Sequence, residues 1–367
     1  MRIILSVEHP AWAHQFRYVI RELEKKGHTF KVVAINKDHD LELLDAFGIP
    51  YEVICNSSGK NIVEKGFIFL WTTLKIFLVS LKFKPDIFIG RASPMMAINS
   101  FLFRKPHIVF EDSEPTVFCL EICKLFSSVI ITPRRFNKDL GKKHIRIDAY
   151  KELFYLHPHY YHPDPAIFDA LNIEKERKYI LFRFVAMNAH HDIGHHGIQD
   201  PVGLVEQFEK YGKVFVSSEK KIPRELEKYQ LKIPLEKIHD VLYYATLFIS
   251  DSQTMTTEAA VLGTPAIRCN SFVGKNDMSN YLELEQKYGL IFNFQDLRDA
   301  IKKAVELIGT EKIKEQWSIK RDRLLNDKID VSAFMIWVIE NYPRSIMDIK
   351  GKPDLQQQFE PFLEEVS

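Results

Sequence analysis

Short apolar runs alternate with amphipathic helical patterns along most of this chain. The first example is the apolar run Ile3–Val7, which is followed by a helical pattern over Trp12–Lys26 that ends at Gly27. An apolar run, a helix and a second apolar run are typical of a βαβ unit, whose strands are parallel. The same alternation starts again at Tyr179. The sequence therefore predicts an α/β protein with two consecutive domains, each built on a parallel sheet.

Residues 134–178 interrupt this alternation with a basic cluster and the proline- and histidine-rich run LHPHYYHPDP. Because proline stiffens a chain and ends helices, we place the connection between the domains in this region. The length of 367 residues also agrees with two domains. The predicted boundaries are a first domain over 1–150, a linker over 151–178, a second domain over 179–342 and a loosely held tail over 343–367.

Charge is balanced over the whole chain but not within it. The 50 Lys and Arg residues nearly match the 49 Asp and Glu residues, so the molecule as a whole is not a typical nucleic-acid binder. Residues 1–160 carry 23 basic and 17 acidic side chains, whereas residues 161–367 carry 27 and 32. Scattered cysteines and a first apolar run too short for a signal peptide predict a cytoplasmic protein. The unequal halves indicate unequal binding partners.

One segment is apolar enough to approach a membrane span. Residues 66–83, GFIFLWTTLKIFLVSLKF, number eighteen, close to the ~20 that cross a bilayer. Lys75 disfavours a span, because a lysine at the bilayer centre costs about 2.5–3.5 kcal/mol. Two alternatives remain open. The helix is buried against the sheet, or residues 66–84 make peripheral contact with the inner face of the cell membrane.

The strongest local signal for chemistry follows a predicted buried strand that ends at Asp251. A polar turn comes next, and then a helix that contains Glu258 and ends at Gly263. Ligands of α/β proteins bind at the carboxyl ends of strands, where helix N-termini present N–H groups. We expect Glu258 to accept hydrogen bonds from ribose hydroxyls, and the alternative is a capped helix with a surface glutamate. The residues expected to contact a diphosphate are Ser252, Gln253, Thr254 and Thr256.

This segment resembles the nucleotide-sugar motif of two-domain GT-B glycosyltransferases, in which a strand and a Ser/Thr-rich turn precede Glu-Ala-x-x-x-Gly-x-Pro. It is also similar to the non-hydrolysing UDP-GlcNAc 2-epimerases, which share that fold. The chain as a whole resembles the archaeal and bacterial domain-of-unknown-function family 354, through stretches such as SVEHPAWAHQF and YILFRFVAMNAHHDIG. The resemblance implies a GT-B-like fold of two Rossmann-type domains whose parallel sheets face a central cleft.

The GT-B resemblance implies roles for further polar residues. Asp277 and Asn280 match positions that read the donor sugar. Arg268 ends a predicted strand and is expected either to neutralise phosphate charge or to form an interdomain ion pair. The loop after the first strand of the second domain contains HHDIGHH, which has enough imidazoles for zinc but no HExxH or CxxC pattern. We therefore favour nucleotide-sugar binding in this region, with zinc binding by this loop left as the alternative, and the candidates are Arg183, Asn188 and His190.

Inverting sugar transfer requires a base for the acceptor hydroxyl and groups that stabilise the departing diphosphate. Base candidates in the first domain are His9 and His14 near the first strand-to-helix turn, and Glu111 and Glu114 after the fifth strand. The alternative for His14 is a polar helix residue without a chemical role. Glu111 also takes the position of an epimerase glutamate, but Gly90-Arg91-Ala92 stands where epimerases have Gly-Asp-Thr. Missing acid/base groups of this kind rank an epimerase below a transferase.

The prediction from sequence is a glycosyltransferase that moves a sugar from a nucleotide donor, with UDP the expected nucleotide. The expected acceptor is lipid- or glycan-linked, in the synthesis of surface polysaccharide or glycoconjugate. Two alternatives stay open: a nucleotide-sugar epimerase or hydrolase, and a nucleotide-sugar-binding protein without catalysis. We expect the nucleotide sugar as a substrate and no cofactor, metal or nucleic-acid partner.

Overall fold

A computed structural model of the chain describes residues 1–36, 39–56, 59, 62–175, 177–186, 195–274 and 277–360. These residues form two compact units. The first unit contains Met1–Tyr160 together with the chain from Lys328 onward, and the second contains Tyr161–Asp327. Each unit is built on one parallel sheet flanked by helices. The predicted α/β class with two parallel sheets is confirmed.

The described residues contain twelve strands and fifteen α-helices. The strands are β1 Arg2–Val7, β2 Thr29–Ile35, β3 Tyr51–Cys55, β4 Ile87–Gly90, β5 His107–Phe110, β6 Val129–Pro133, β7 His144–Ile147, β8 Tyr179–Phe184, β9 Lys213–Ser218, β10 Leu247–Ser250, β11 Ala266–Cys269 and β12 Ile291–Phe294. The helices are α1 Pro10–Lys25, α2 Asp40–Ala46, α3 Ile62–Phe83, α4 Pro94–Leu102, α5 Val117–Phe126, α6 Leu153–Leu156, α7 Ile167–Ala170, α8 Pro201–Phe208, α9 Ile238–Tyr244, α10 Gln253–Leu262, α11 Ser279–Gln286, α12 Leu297–Ile308, α13 Ile313–Asn326, α14 Val331–Glu340 and α15 Arg344–Gly351.

The sheet of the first unit has the order β3-β2-β1-β4-β5-β6-β7. The chain runs outward from β1 to β3 and then crosses to β4, which pairs with β1 in parallel. Every residue of β4 and β5 is buried, as expected for strands covered by helices on both faces. The carboxyl ends of β1 and β4 therefore form a switch point, where open α/β sheets bind ligands.

The sheet of the second unit has the order β12-β11-β10-β8-β9, and its paired strands are also parallel. Its switch point lies between β8 and β10. Helix α10, which follows β10, ends at Gly263, whose φ of 73° is left-handed. Glycine adopts this conformation without a Cβ clash and closes the helix, as the sequence predicts.

The boundaries of the units differ from the predicted domains. Helix α6 lies within the predicted linker, yet all four of its residues are buried and it packs against α1. Helix α14 was expected in the second domain but packs on α1 and α6 of the first unit. The physical reason is its apolar sequence, VSAFMIWVIE, of which Phe334, Met335 and Val338 are fully buried. Such a helix needs cover on most of its surface.

The predicted loose tail is folded as far as residue 360. Helix α15 and the 3-10 helix Pro353–Phe359 pack beside α14, and Ile346 and Ile349 are buried. Gln356 is also buried, and its side-chain oxygen accepts a hydrogen bond from Asp148 N at 2.7 Å. Pro353 stands in the first turn of the 3-10 helix, a position that proline tolerates because its missing N–H has no partner there.

Candidate functional site

In the second unit, the turn between β10 and α10 lies at the carboxyl edge of the sheet, next to the switch point. Ser252 is the N-cap residue of α10, and its Oγ accepts a hydrogen bond from Met255 N at 3.3 Å. The first-turn residues Gln253 and Thr254 are half-buried. The first N–H groups of a helix have no partner within it, and the helix dipole favours negative charge there. Gln253 and Thr254 are therefore placed where an anionic group can bind.

Thr256 does not share this accessibility. Its side chain is fully buried, and its Oγ1 donates a hydrogen bond to Ser252 O at 2.6 Å. The predicted diphosphate contact of Thr256 is therefore wrong in this structure, because the hydroxyl serves the first turn of its own helix. Helical spacing explains the difference, since residues 254 and 256 project from different faces.

Glu258 is buried on α10 and lies against a histidine of α9. Its Oε1 is 3.1 Å from Nε2 of His239, and both side chains are almost fully enclosed. The alternative of a surface glutamate is wrong, because a buried carboxylate needs a polar partner and has one here. The ribose contact of Glu258 stays a prediction. Sequence reasoning missed His239, which lies nineteen residues earlier and has no local motif.

Asp251 connects this turn to a cavity that sequence reasoning also missed. Its Oδ1 accepts a hydrogen bond from Val185 N at 2.8 Å, and its Oδ2 accepts one from Ile198 N at 3.1 Å. Burial raises the pKa of Asp251 to about 6, against the effect of these hydrogen bonds. The position of an aspartate at the end of a buried strand beside a switch point was the available signal.

The cavity beside Asp251 has a volume of about 240 Å³ and is formed at the ends of β8 and β9. Its walls combine apolar side chains such as Phe184 and Ile222 with the charged residues Asp251, Lys220 and Lys221. An apolar pocket with a few charged groups is the usual form of a small-molecule site.

Arg183 lies near the carboxyl end of β8, at the same edge of the sheet, and its guanidinium already donates hydrogen bonds to protein side chains. Its Nη1 donates to Ser217 Oγ and its Nη2 donates to Glu219 Oε1, both at 2.7 Å. The side chain is partly exposed, so a ligand contact stays a prediction. Asn188 and His190 lie outside the described residues, as does most of the HHDIGHH run.

Arg268 and Asp277 form a buried ion pair in the second unit. Arg268 is fully buried, its Nη2 donates to Asp277 Oδ2, and its guanidinium lies 3.8 Å from the centre of the Tyr281 ring. Its Nε donates to Asn293 Oδ1 at 2.8 Å. The ion pair of Arg268 is thus with a residue of the same unit, whereas its Nη1 has no hydrogen-bond partner among the described residues, so the phosphate contact stays a prediction. The burial of Arg268 follows from the interior position of β11, between β10 and β12, whose four residues are all buried.

Asn280 differs from these paired residues. It is buried on α11, and neither its amide nitrogen nor its amide oxygen has a hydrogen-bond partner in the part of the chain that the structure describes. Buried amides are normally paired in folded proteins. The unpaired amide supports the prediction that Asn280 contacts a ligand, and the prediction itself remains to be tested.

In the first unit, His9 and His14 have different environments. His9 is exposed after β1 and caps α1, with its Nδ1 accepting a hydrogen bond from Ala11 N at 3.2 Å. In a neutral ring, Nε2 of His9 therefore carries the proton. His14 is buried between the rings of Phe47 and Tyr155. The structure thus favours the alternative for His14, a helix residue without a chemical role.

Glu111 is the acceptor at the centre of a buried charge cluster. Arg91, at the end of β4, donates to both oxygens of Glu111 and also to Asp112. Three backbone N–H groups, those of Ala92, Asp112 and Ser113, donate to the same Glu111 carboxylate. Both oxygens of Glu111 therefore already accept hydrogen bonds within the first unit. Arg91, which stands where the epimerase resemblance implies an aspartate, is the side chain that binds the Glu111 carboxylate.

The cluster extends to Asp112 and Lys151. Lys151 Nζ lies 3.1 Å from Asp112 Oδ2 and 2.7 Å from Glu152 Oε1. Burial opposes ionisation of Asp112, but the charges of Lys151 and Arg91 outweigh it and lower the pKa of Asp112 to about 2. Glu114, nearby in sequence, is buried and accepts a hydrogen bond from Asn137 N at 3.2 Å. Among the predicted base candidates, His9 is the exposed one.

One group of side chains has the composition of a metal site. Potential ligand atoms of His157, His159 and Asp330 lie within 4.8 Å of one another. Hydrogen bonds already organise this group, because His157 Nδ1 accepts from His159 N and Asp330 Oδ2 accepts from Tyr160 Oη. His159 Nδ1 lies 2.9 Å from the same Asp330 oxygen. The group therefore serves to fix the start of α14, which Asp330 caps.

The chain belongs to the family described as "Protein of unknown function (DUF354)", whose model matches residues 1–337. A comparison with curated protein sequences finds no match. The predicted membership is confirmed.

Solved structures share the fold at low sequence identity. The S. aureus MnaA–UDP co-structure aligns with a TM-score of 0.66 at 14% identity, covering 94% of this chain and 98% of that chain. UDP-GlcNAc 2-epimerase from Neisseria meningitidis bound to UDP-GlcNAc gives 0.61 at 15%, covering 86% and 94%. Streptomyces sp. SF2575 glycosyltransferase SsfS6, complexed with thymidine diphosphate, gives 0.58 at 13%, covering 93% and 99%. The fold is thus that of GT-B glycosyltransferases and UDP-GlcNAc 2-epimerases.

Proposed function

We propose that this member of the family is a GT-B-type glycosyltransferase that uses a nucleoside diphosphate sugar, with UDP as the nucleotide. The observation that carries the proposal is the turn from β10 into α10, where half-buried Gln253 and Thr254 follow the N-cap Ser252 at a switch point. Proteins of the same fold have been solved with UDP, UDP-GlcNAc and thymidine diphosphate. The proposed acceptor is lipid- or glycan-linked, the proposed location is the cytoplasm, and the reaction needs no further cofactor.

The first turn of α10 suits the diphosphate. Its N–H groups and the helix dipole stabilise negative charge without a lysine. The cavity beside Asp251, of about 240 Å³, has the size and the mixed lining for one ring of the nucleotide sugar. Glu258 is held by His239 and presents a fixed acceptor on the same helix. These features support a donor site within the second unit.

His9 is the proposed chemical group of the first unit. With Nδ1 engaged by Ala11 N, the neutral ring presents Nε2–H as a donor. A donor of this kind stabilises an anionic oxygen and is less suited to remove a proton. We therefore propose His9 as a charge-stabilising group of the first unit rather than as a base.

A second candidate is epimerase chemistry of the UDP-GlcNAc 2-epimerase type. The fold likeness to the Neisseria meningitidis epimerase and the carboxylates at the end of β5 favour it. Against it, Arg91 binds Glu111 and stands where the resemblance implies an aspartate. We rank the transferase first for this reason.

Calorimetry with UDP, thymidine diphosphate and UDP-GlcNAc tests the donor site. Ser252→Ala should weaken UDP binding about tenfold or more, because the cap orders the first turn and hydrogen bonds to charged groups contribute about 1.5–3 kcal/mol. Ser93→Ala is the matched control, since Ser93 Oγ caps α4 of the first unit in the same way, at 3.4 Å from Met96 N. Equal loss in both variants, or no binding of any nucleotide by the unaltered chain, would overturn the proposal.

Product analysis separates the candidate reactions. After incubation with UDP-GlcNAc, NMR of the sugar shows release or transfer if the chain is a hydrolase or transferase. An isomerised sugar with intact UDP linkage identifies an epimerase and rejects the first proposal. A polyprenyl-phosphate acceptor should increase UDP release if the acceptor is lipid-linked.

A further inference from the structure

Helix α3 is apolar on two opposite faces. One face is buried in the first unit, where Ile76 and Val79 pack with Ile4 and Phe88 in the core. The opposite face is exposed and consists of Val63, Phe67, Leu70, Trp71, Leu74, Leu78 and Leu81. Phe67 and Leu70 are each 67% exposed. A helix that is apolar all round is typical of a buried or membrane-contacting helix, and here only one side is covered within the described residues.

The exposed apolar surface continues over the next two helices. Helix α3 packs beside α4, and α4 packs beside α5. Large apolar side chains are exposed at the end of α4 and along α5: Phe101, Leu102, Val117, Phe118 and Leu125. Monomeric soluble proteins rarely expose large contiguous apolar patches. We name this exposed layer of α3, α4 and α5 the apolar layer.

Basic residues border the apolar layer at one end. Helices α3, α4 and α5 end just before β4, β5 and β6 begin, so their C-termini share the edge of the sheet where strands start. The exposed or half-buried basic residues at these C-termini are Lys82, Lys84, Arg104, Lys105 and Lys124. Exposed acids on the three helices are Glu64 and Glu121, and Glu121 is 3.0 Å from Lys124. The border is therefore strongly positive.

A basic groove lies directly beside the exposed leucines of α3. It has a volume of about 350 Å³ and is lined by Lys31, Lys75 and Lys82 with one acid, Glu52. Lys31 is paired with Glu52 at 2.6 Å, which leaves the groove with an excess of positive charge. Leu78 is also part of the lining. An apolar surface next to a positively charged groove is complementary to a phospholipid, in which an anionic phosphate headgroup adjoins apolar acyl chains.

We propose that the apolar layer docks on an anionic phospholipid bilayer, with α3 lying in the interface and the basic border on the headgroups. Val63–Phe83 is long and apolar enough to cross a membrane by composition, but its buried face is part of the core of the unit. Surface contact therefore fits the structure where a span does not. A second copy of the chain is a less suitable partner for the apolar layer. In a two-fold symmetric dimer each positive border would face the same surface of the other copy, which has few acidic residues to pair with it. The inference stands independently of the nucleotide-sugar proposal.

Vesicle sedimentation of the full chain tests the docking. Binding should be strong on phosphatidylcholine mixed equally with phosphatidylglycerol, weak on phosphatidylcholine alone, and reduced by salt. Leu70→Ser with Leu74→Ser should abolish binding. The control is Ile319→Ser with Met347→Ser, since these apolar residues are also exposed and lie outside the apolar layer. All four positions are exposed, so the fold should remain intact, as unfolding curves would verify.

A charge pair refines the test. Lys82→Gln with Lys84→Gln should weaken binding to anionic vesicles by about fivefold for each lysine. Lys25→Gln with Lys312→Gln is the matched control at exposed lysines elsewhere. Equal effects of the two pairs would contradict the proposed orientation.

Trp71 supplies a direct readout, because it is 44% exposed in the apolar layer. Brominated lipids should quench its fluorescence on binding, and this quenching should disappear in Trp71→Phe. Absence of binding to anionic vesicles would overturn the proposal. The proposal would also be overturned if the unaltered chain does not bind vesicles and forms a dimer that Leu70→Ser with Leu74→Ser dissociates. Nucleotide calorimetry is unaffected by either result, so the two proposals fail separately.

Discussion

Arg91 and Glu111 form a two-point hydrogen bond inside the first unit: Nη2 donates to Oε1, and Nε lies 3.4 Å from Oε2. Both side chains are almost fully buried. They leave the ends of neighbouring strands, β4 and β5, and join the loops that follow. Because the carboxylate is already bound, the chemistry available at this edge of the sheet differs from that of enzymes with an aspartate in the place of Arg91.

Replacing Arg91 should therefore destabilise the first unit. Arg91→Met leaves Glu111 and Asp112 buried with one fewer cation, and loss of one partner of a buried pair costs about 3–5 kcal/mol. Urea unfolding measures this loss. Arg344→Met is the matched control, since Arg344 pairs with Asp348 on the exposed surface of the same unit and should contribute less than about 1 kcal/mol. Similar losses in the two variants would contradict the buried pairing.

His239 and Glu258 should be energetically coupled. Single variants His239→Ala and Glu258→Gln, with the double variant, form a cycle whose coupling free energy should be about 1–3 kcal/mol, because both groups are enclosed. The exposed pair His39 and Glu42, at 3.2 Å, is the control and should show coupling near zero. Unfolding by urea measures both cycles. Coupling near zero at His239 and Glu258 would show that the contact does not fix the glutamate.

Binding of UDP-GlcNAc should depend on the protonation of Asp251. The pKa of Asp251 is raised to about 6 by burial, so the side chain is an anion at pH 7 and becomes neutral as the pH falls toward 5. Removing this charge beside a diphosphate should strengthen binding by roughly fivefold, or about 1 kcal/mol. The phosphates of UDP-GlcNAc do not titrate in this range.

Asp251→Asn should make that binding nearly independent of pH between 5 and 7, as calorimetry at several pH values would show. Asp200→Asn is the control, because Asp200 caps α8 in the same unit at an exposed position. An unchanged pH dependence in Asp251→Asn would assign the effect to another group.

Lys314 should make the stability of the second unit rise with pH. Burial lowers the pKa of Lys314 to about 7, from 10.5 in the unfolded chain, while its Nζ donates to Tyr243 O at 2.5 Å. Between these two pKa values the unfolded chain binds one proton more than the folded chain. The free energy of unfolding therefore rises as the pH rises through this range. The slope is at most about 1.4 kcal/mol per pH unit.

Lys314→Met should reduce this slope in urea unfolding at pH 7, 8 and 9. Lys312→Met is the matched control, because Lys312 lies two residues earlier and is exposed. If both variants keep the slope of the unaltered chain, Lys314 does not titrate in this window.

Local patterns in the sequence were sufficient for the alternation of strands and helices and for the turn at Ser252, but not for α6 in the predicted linker or α15 in the predicted tail. Burial alternates over a few residues, and caps such as Ser252 and Gly263 act within one turn, so both can be recognised without the rest of the chain. The same reasoning placed polar residues at the carboxyl ends of strands. It could not rank them by accessibility, because Thr256 and Thr254 lie two residues apart and differ in burial.

By itself, then, the sequence determined two parallel α/β sheets, the family and the Ser252-capped start of a helix after β10. The tertiary structure decided the rest. It enclosed Arg268 with Asp277 and bound Glu111 to Arg91, and it brought α14 back to the first unit. These outcomes depend on contacts between segments that are distant in sequence, and burial and ion pairing are properties of such contacts. The exposed face of α3 is decided in the same way, since its sequence is equally apolar on both sides.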